Sequence, residues 1–307
     1  MNNIICIAGP TASGKTALSI ALAKELCGEV VSCDSMQVYK YMDIGTAKPT
    51  VEERAGIVHH MLDVAEPDQD FSVSRYCEMA APIVDDILAR GKTAIIAGGT
   101  GLYMDALIRG NDFAPFPSTG VREQLEQQPI EEVYARLQKI DPEAAARLHL
   151  ADKKRIIRAM EVYLETGQTI TAHNLKTQAQ PPKYNPVWFG LSDENRQDLY
   201  DRIDHRVEQM VDLGLVDEIQ ALLARGIPEK ATALQAIGYK EFLQVMHGQD
   251  TVENAIAQVQ QSSRKYAKRQ LTWFRRNQNI NWLLRKPGVG TEEILMEARR
   301  ILLKTDN

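Results

Sequence analysis

A run of eight residues, Gly9-Pro10-Thr11-Ala12-Ser13-Gly14-Lys15-Thr16, constrains this chain more than any other, because it sets G-x-x-x-x-G-K-T between an apolar run and an amphipathic one. Ile4, Ile5, Cys6, Ile7 and Ala8 read as a short buried strand. Ala17, Leu18, Ile20, Ala21 and Leu22 supply the apolar face of a helix. A strand that turns into a helix through such a loop aims successive backbone N–H groups at an anion. The Lys15 ammonium then reaches the outer phosphates, and the Thr16 hydroxyl is placed to ligate Mg2+. The residues expected at bound phosphate are therefore Gly9, Pro10, Thr11, Ala12, Ser13, Gly14, Lys15 and Thr16. A glycine-rich turn without a ligand is the plainer alternative, and the loop does not say which phosphate compound it holds.

The strand-then-polar pattern recurs through the first third of the chain. Val30 to Cys33 ends at Asp34, His60 to Leu62 ends at Asp63, and Thr93 to Ala97 ends at Gly98-Gly99, with helical patterns between them. Such alternation predicts an α/β fold, a P-loop NTPase-like parallel sheet covered by helices, with ligands at the carboxyl ends of the strands. The texture breaks at Asp112-Phe113-Ala114-Pro115-Phe116-Pro117-Ser118, and a long charged helical stretch follows from Val121 to about Thr166. Val187-Trp188-Phe189-Gly190-Leu191 returns to the sheet. Helices resume from Arg196 to Arg225 and from Ala233 to Arg276, and Ile280 to Leu284 is a last strand. Residues 112–186 are thus read as an inserted helical domain, and 1–111 with 187–307 as a discontinuous catalytic domain.

Composition narrows the class. At 307 residues with 44% hydrophobic content the chain can bury a sizeable core, and a net charge of −5 gives no global attraction to nucleic acid. Any nucleic-acid site must come from local basic clusters. Cys6, Cys27, Cys33 and Cys77 form no C-x-x-C pair, no zinc-ligand cluster is visible, and no apolar run is long enough to span a bilayer. A cytoplasmic protein is expected. The histidines, His59-His60 included, lack metal-ligand spacing and receive no role.

Four further groups carry chemistry. Asp34 closes a strand and opens Asp34-Ser35-Met36-Gln37-Val38-Tyr39, where a carboxylate serves as general base, as magnesium ligand or as a helix cap. Gly98-Gly99-Thr100-Gly101 brings backbone and the Thr100 hydroxyl close to a ligand, although close packing explains the glycines equally well. Arg202 and Arg206 lie four apart on one helix face, suited to a diphosphate or to pairing with neighbouring aspartates. Lys153 to Arg158 and Arg264 to Arg276 are basic segments. In the second, Tyr266, Trp273 and Phe274 are available for base stacking, while Ala267, Leu271 and Phe274 form an apolar stripe.

Together these motifs closely resemble the bacterial tRNA dimethylallyltransferases, nearly end to end. The resemblance rests on Gly-Pro-Thr-Ala-Ser-Gly-Lys-Thr at 9 to 16, Asp-Ser-Met-Gln-Val-Tyr at 34 to 39 and Asp-Ile-Gly-Thr-Ala-Lys-Pro at 43 to 49. It continues with Gly-Gly-Thr-Gly-Leu-Tyr at 98 to 103, Lys-Arg-Ile-Ile-Arg-Ala-Met-Glu-Val at 154 to 162, Ala-Ile-Gly-Tyr-Lys-Glu at 236 to 241, and Lys-Arg-Gln-Leu-Thr-Trp-Phe-Arg at 268 to 275. It implies transfer of a dimethylallyl group from dimethylallyl diphosphate to N6 of adenosine at tRNA position 37. Asp34 would be the base and Thr100 would sit by the amine. Lys15, Thr16 with Mg2+, and Arg202 or Arg206 would stabilise the departing diphosphate. It further implies that Asp34, Ser35, Met36, Gln37, Thr100, Arg122, Lys154, Arg155, Ile156, Ile157, Arg158, Lys268, Arg269 and Arg275 meet the anticodon stem-loop of the tRNA. A monomer with no membrane partner is expected.

Three other readings share parts of this set. A kinase acting on a small metabolite would use the loop and Asp34 but has no need of a large basic insertion. An adenylate isopentenyltransferase would share the base and the cradle, with less use for the insertion. A nucleotide-gated RNA-binding module leaves the Asp34 and Thr100 motifs without purpose.

Overall fold

The computed structural model describes residues 3–110, 119–286, 288 and 290–305. Six strands form one sheet in the order β3-β2-β4-β1-β5-β6, and every pairing is parallel. They are β1 (Ile4–Ala8), β2 (Glu29–Ser32), β3 (His59–His60), β4 (Ala94–Gly98), β5 (Val187–Asp193) and β6 (Ile280–Arg285). The central strands, β1 and β4, are near-continuous apolar runs, the pattern of strands covered on both faces. The expected parallel α/β sheet is the one observed.

The first seven helices are α1 (Lys15–Glu25), α2 (Val51–Arg54), α3 (Val73–Ala89), α4 (Gly101–Arg109), α5 (Val121–Glu126), α6 (Ile130–Ile140) and α7 (Pro142–Ala146). The remainder are α8 (Lys153–Thr166), α9 (Ile170–Ala179), α10 (Arg196–Asp212), α11 (Leu215–Ala224), α12 (Lys240–Met246), α13 (Val252–Phe274) and α14 (Thr291–Thr305). Two core layers flank the sheet. One packs Leu18 and Leu22 of α1 with Ile294, Leu295 and Ala298 of α14 against Ile5, Ile7 and Ile95. The other gathers Tyr76, Val84, Met104, Tyr239, Phe242 and Phe274 on Cys6, Val31 and Ile96.

The helical expectations need dividing at the capping residues. The stretch from Val121 to Thr166 is four helices, interrupted near Pro129, at Asp141 and before Asp152. The stretch from Arg196 to Arg225 breaks at Gly214, which adopts a left-handed φ of 100°. From Ala233 to Tyr239 the chain is turn, not helix, and α12 and α13 are separate. In each case apolar periodicity ran on past a residue that caps or reverses the chain.

The chain forms two compact units, 1–110 with 183–307, and 111–182. In the first, the sheet is closed behind the excursion by backbone bonds from Lys183 N–H to the Arg109 carbonyl (3.3 Å) and from Tyr184 N–H to the Ile108 carbonyl (3.1 Å). The second has its own core of Leu125, Val133, Leu137, Ile156, Ile157 and Met160. The sequence break at 112–118 lies outside the described residues.

Candidate active site

The loop after β1 is made of backbone. Gly14 takes a left-handed φ of 91° as the N-cap of α1 and supplies no side chain, so the first-turn amides of that helix face outward for a ligand. Outside groups brace the loop. The Arg202 guanidinium donates to the Ala12 carbonyl at 3.1 Å and to both oxygens of the Asp193 carboxylate at 2.7 Å. The Gln270 side-chain carbonyl accepts from Thr11 N–H at 3.0 Å. Lys15 folds its ammonium back to the Pro10 carbonyl at 2.6 Å. Arg202 and Arg206 therefore have different duties despite sharing a face: Arg202 holds the rear of the loop, whereas Arg206 lines the cavity in front of it.

That cavity, of about 350 Å³, lies wholly in the sheet-bearing unit, at the carboxyl ends of β1, β2 and β4. Lys15, Thr16, Asp34, Arg206, Tyr266 and Arg269 are on its wall. Burial pulls the Lys15 ammonium down to about 8, with Arg206 adding repulsion and Asp34 opposing it. Burial likewise lowers Arg206, against the attraction of Asp34 and Glu53. Two cations held down by burial and a carboxylate share this one cavity. Such a place favours a multiply charged anion between the cations.

Asp34 does not begin a helix. Its Oδ1 accepts the amides of Met36 (2.9 Å) and Gln37 (3.4 Å), closing a turn and leaving the carboxylate at the cavity. The Thr100 hydroxyl accepts from Ser35 N–H at 3.0 Å and donates to the Ser35 hydroxyl at 3.4 Å, and burial pushes the Tyr266 phenol of α13 up to about 12. Thr100 thus ties the loop after β4 to the Asp34 turn. Gln37 carries the turn further. It accepts from the Ser32 hydroxyl at 2.9 Å and donates to the carbonyls of Thr46 and Ala47, both at 3.2 Å.

The segment from Asp43 to Lys48 enters the site through partners that sequence reasoning did not assign. The Glu218 carboxylate of α11 accepts the amides of Asp43 (2.8 Å), Ile44 (2.8 Å) and Gly45 (3.2 Å) and the Tyr239 hydroxyl (2.7 Å). A Cβ on Gly45 would fall 2.5 Å from the Tyr239 ring, so the close approach requires glycine. Lys48 is buried, donating to the Tyr39 carbonyl (2.8 Å), Asp43 (2.6 Å) and Asp63 (2.6 Å). An acidic residue in a helix far along the chain gives no local signal of such a role. Lys48 was separable from ordinary surface charges only as part of the 43–49 motif, and Asp63 only as the polar end of a strand.

The family model described as IPP transferase matches residues 37–277. The tRNA dimethylallyltransferase of Acetivibrio thermocellus is 42% identical over 307 residues, spanning 98% of each chain, and that of Thermoanaerobacter sp. is 46% identical over 297 residues, spanning 95% of this chain and 94% of the relative. The chain belongs to the IPP transferase family. Among solved structures, the full-length tRNA isopentenylpyrophosphate transferase from Bacillus halodurans is 41% identical, with a TM-score of 0.75 over 99% of this chain and 96% of that one. A eukaryotic dimethylallyltransferase acting on tRNA is 31% identical, with a TM-score of 0.81 over 92% of this chain and 74% of that one.

The basic residues expected at RNA fall into three settings. Arg269 is on the cavity wall, stacked over Tyr266 at 5.4 Å. Lys268 and Arg275 line a separate depression with Asp193, Glu194 and Tyr200, so these cations lie on two faces of the segment. In the helical unit Lys154 and Arg155 are exposed, whereas Arg122 and Arg158 converge on Glu161 at 3.7 and 2.8 Å. Ile156 and Ile157 point into that unit's core and present no side chain to an RNA, a correction to their expected place. Among the described residues no helix is long and apolar enough to cross a membrane.

Proposed function

We propose that this chain transfers the dimethylallyl group of dimethylallyl diphosphate to N6 of adenosine 37 of tRNA, releasing diphosphate. The observation that carries this reading is the meeting of Lys15, Arg206 and Asp34 on one cavity, in a family whose named relatives are tRNA dimethylallyltransferases. The loop amides of residues 12–16 with Lys15 and Arg206 hold the diphosphate. As the C1–O bond breaks, charge grows on the leaving oxygen, and donors already in place stabilise it without reorganisation. The N6–C1 bond forms as the other breaks. The N6 proton becomes acidic only then and passes to the Asp34 carboxylate, whose turn holds it at the cavity. Thr100, through Ser35, fixes the acceptor side.

The residues present fit magnesium. Among the described residues no cluster of three His, Cys, Asp or Glu side chains could hold an ion. Magnesium bound through substrate phosphates and its own waters needs only one or two protein oxygens, and the exposed Thr16 hydroxyl at the head of α1 offers one. When bound it would add positive charge beside the diphosphate. Lys154 and Arg155 contact phosphates of the anticodon stem-loop, and the enzyme works as a cytoplasmic monomer.

The test is incubation with unmodified tRNA bearing adenosines at positions 36 and 37, Mg2+ and dimethylallyl diphosphate, followed by digestion. Isopentenyl-adenosine is expected, with chelation abolishing and Mg2+ restoring it. No product, alongside ATP-dependent phosphorylation of a metabolite, would return the chain to the kinase reading.

A further inference from the structure

We infer that Gln270 is a positioning residue that sets the separation between the departing diphosphate and the attacking amine. The inference rests on the function proposed above. The two reactants are held by loops that leave neighbouring strands. The phosphate loop follows β1, and the loop bearing Thr100 follows β4, with Ala8 paired to Gly98 at the point of departure. Beyond that pair the ladder ends, and a side chain takes over the spacing. Gln270 accepts from Thr11 N–H with its carbonyl (3.0 Å) and donates to the Gly99 carbonyl with its amide (2.9 Å), so one planar group spans the two loops.

The span is rigid at its base. Gln270 is only 5% exposed, and α13 is docked on both sides of it. Trp273 donates its indole N–H to Asp105 of α4 at 2.8 Å, and Arg264 pairs with Asp204 of α10 at 2.5 Å. The fit at the far end is just as close. A Cβ on Gly99 would lie 2.1 Å from the Gln270 amide nitrogen. The amide satisfies both ends, since one loop offers a donor and the other an acceptor. Reacting atoms must sit about 3–3.5 Å apart, and a misplacement of about 1 Å can cost on the order of 10^2-fold in rate, so a strut between the two loops acts on turnover more than on binding.

The experiment compares Gln270→Glu, Gln270→Met and Gly99→Ala in the full-length enzyme, measuring kcat and the KM for each substrate, with calorimetric diphosphate affinity as a second reading. Glutamate keeps the acceptor for Thr11 but turns an oxygen toward the Gly99 carbonyl, and methionine keeps the length with neither function. Each is expected to lower kcat about 10- to 100-fold while both KM values and diphosphate affinity stay within about threefold. Gly99→Ala, which displaces the same amide, should give a similar loss, and the double variant with Gln270→Met should lose little more than either alone. A kcat within about twofold of wild type in Gln270→Glu or Gln270→Met, or losses that multiply in the double variant, overturns the inference. Loss of diphosphate affinity equal to the loss of rate would make Gln270 a ligand residue and overturn it as well. A wild-type enzyme that makes no isopentenyl-adenosine refutes the proposed function itself, whereas an active wild type with unaffected variants refutes only this step.

Discussion

The two loops that face each other across the cavity are built on opposite principles. The phosphate loop, residues 9 to 16, offers its backbone, and side chains from α10 and α13 brace it from behind. The segment from Asp34 to Lys48 offers side chains, and its backbone is consumed by Asp34 itself, by Gln37, by Glu218 and by Lys48. Under the proposed function the difference follows from the task. Binding a multiply charged anion needs many converging donors, which a helix start supplies regardless of side chain. Proton removal needs one carboxylate in one orientation, so everything around it must be fixed.

The sharpest way to break this contrast is at the carboxylate. Asp34→Asn should lower kcat by about 10^2- to 10^4-fold with tRNA affinity nearly intact, measured by filter binding alongside turnover. Collapse of affinity instead would make Asp34 a binding residue and blur the two loops into one. The next effect is expected at the remote anchor. Glu218→Ala strands three amides and a buried phenol, and should cost about 1–3 kcal/mol of stability in denaturant titration. It should also reduce kcat/KM for tRNA more than for the diphosphate. An equal effect on both substrates would mean that the segment supports the whole cavity.

For the backbone-built loop, pH is the probe. Because Lys15 titrates near 8 in the unliganded protein, its charge is present below that value and lost as pH rises through it. Diphosphate affinity should therefore fall above about pH 8, by up to about tenfold per pH unit, and Lys15→Met should bind weakly with that dependence removed. A flat profile in the wild type would place the attraction in the amides and Arg206. The smallest effect concerns the helical unit. Replacing Lys154 and Arg155 should flatten the salt dependence of tRNA binding by about 0.7 to 0.9 in log-log slope for each phosphate the variant no longer neutralises. An unchanged slope would take both residues off the RNA.

What could be read in the sequence tracks the same contrast. The phosphate loop, β1 and α1 are encoded within adjacent residues, and so are the polar ends of β2 and β4, which is why the sheet and the placement of Asp34 could be anticipated. The division of labour between Arg202 and Arg206 could not, because it depends on Asp193 and Ala12 arriving behind one turn of α10 rather than the next. Nor could Glu218 or Gln270, each of which acts on backbone atoms far away in sequence. Ile156 and Ile157 show the opposite error: they sit in a basic motif, but helical periodicity turns them inward while their neighbours Lys154 and Arg155 face water.

The two backbone bonds that join Arg109 to Lys183 and Ile108 to Tyr184 have a consequence for how such a chain can change. To the sheet, everything between them is a loop whose ends are already tied, and doubling or halving a flexible loop alters its closure cost by only about 0.6 kcal/mol. For the sheet's own folding, the length of that stretch therefore matters little. A variant trimmed there to a short linker should still fold its parallel sheet while losing the phosphate contacts proposed for Lys154 and Arg155.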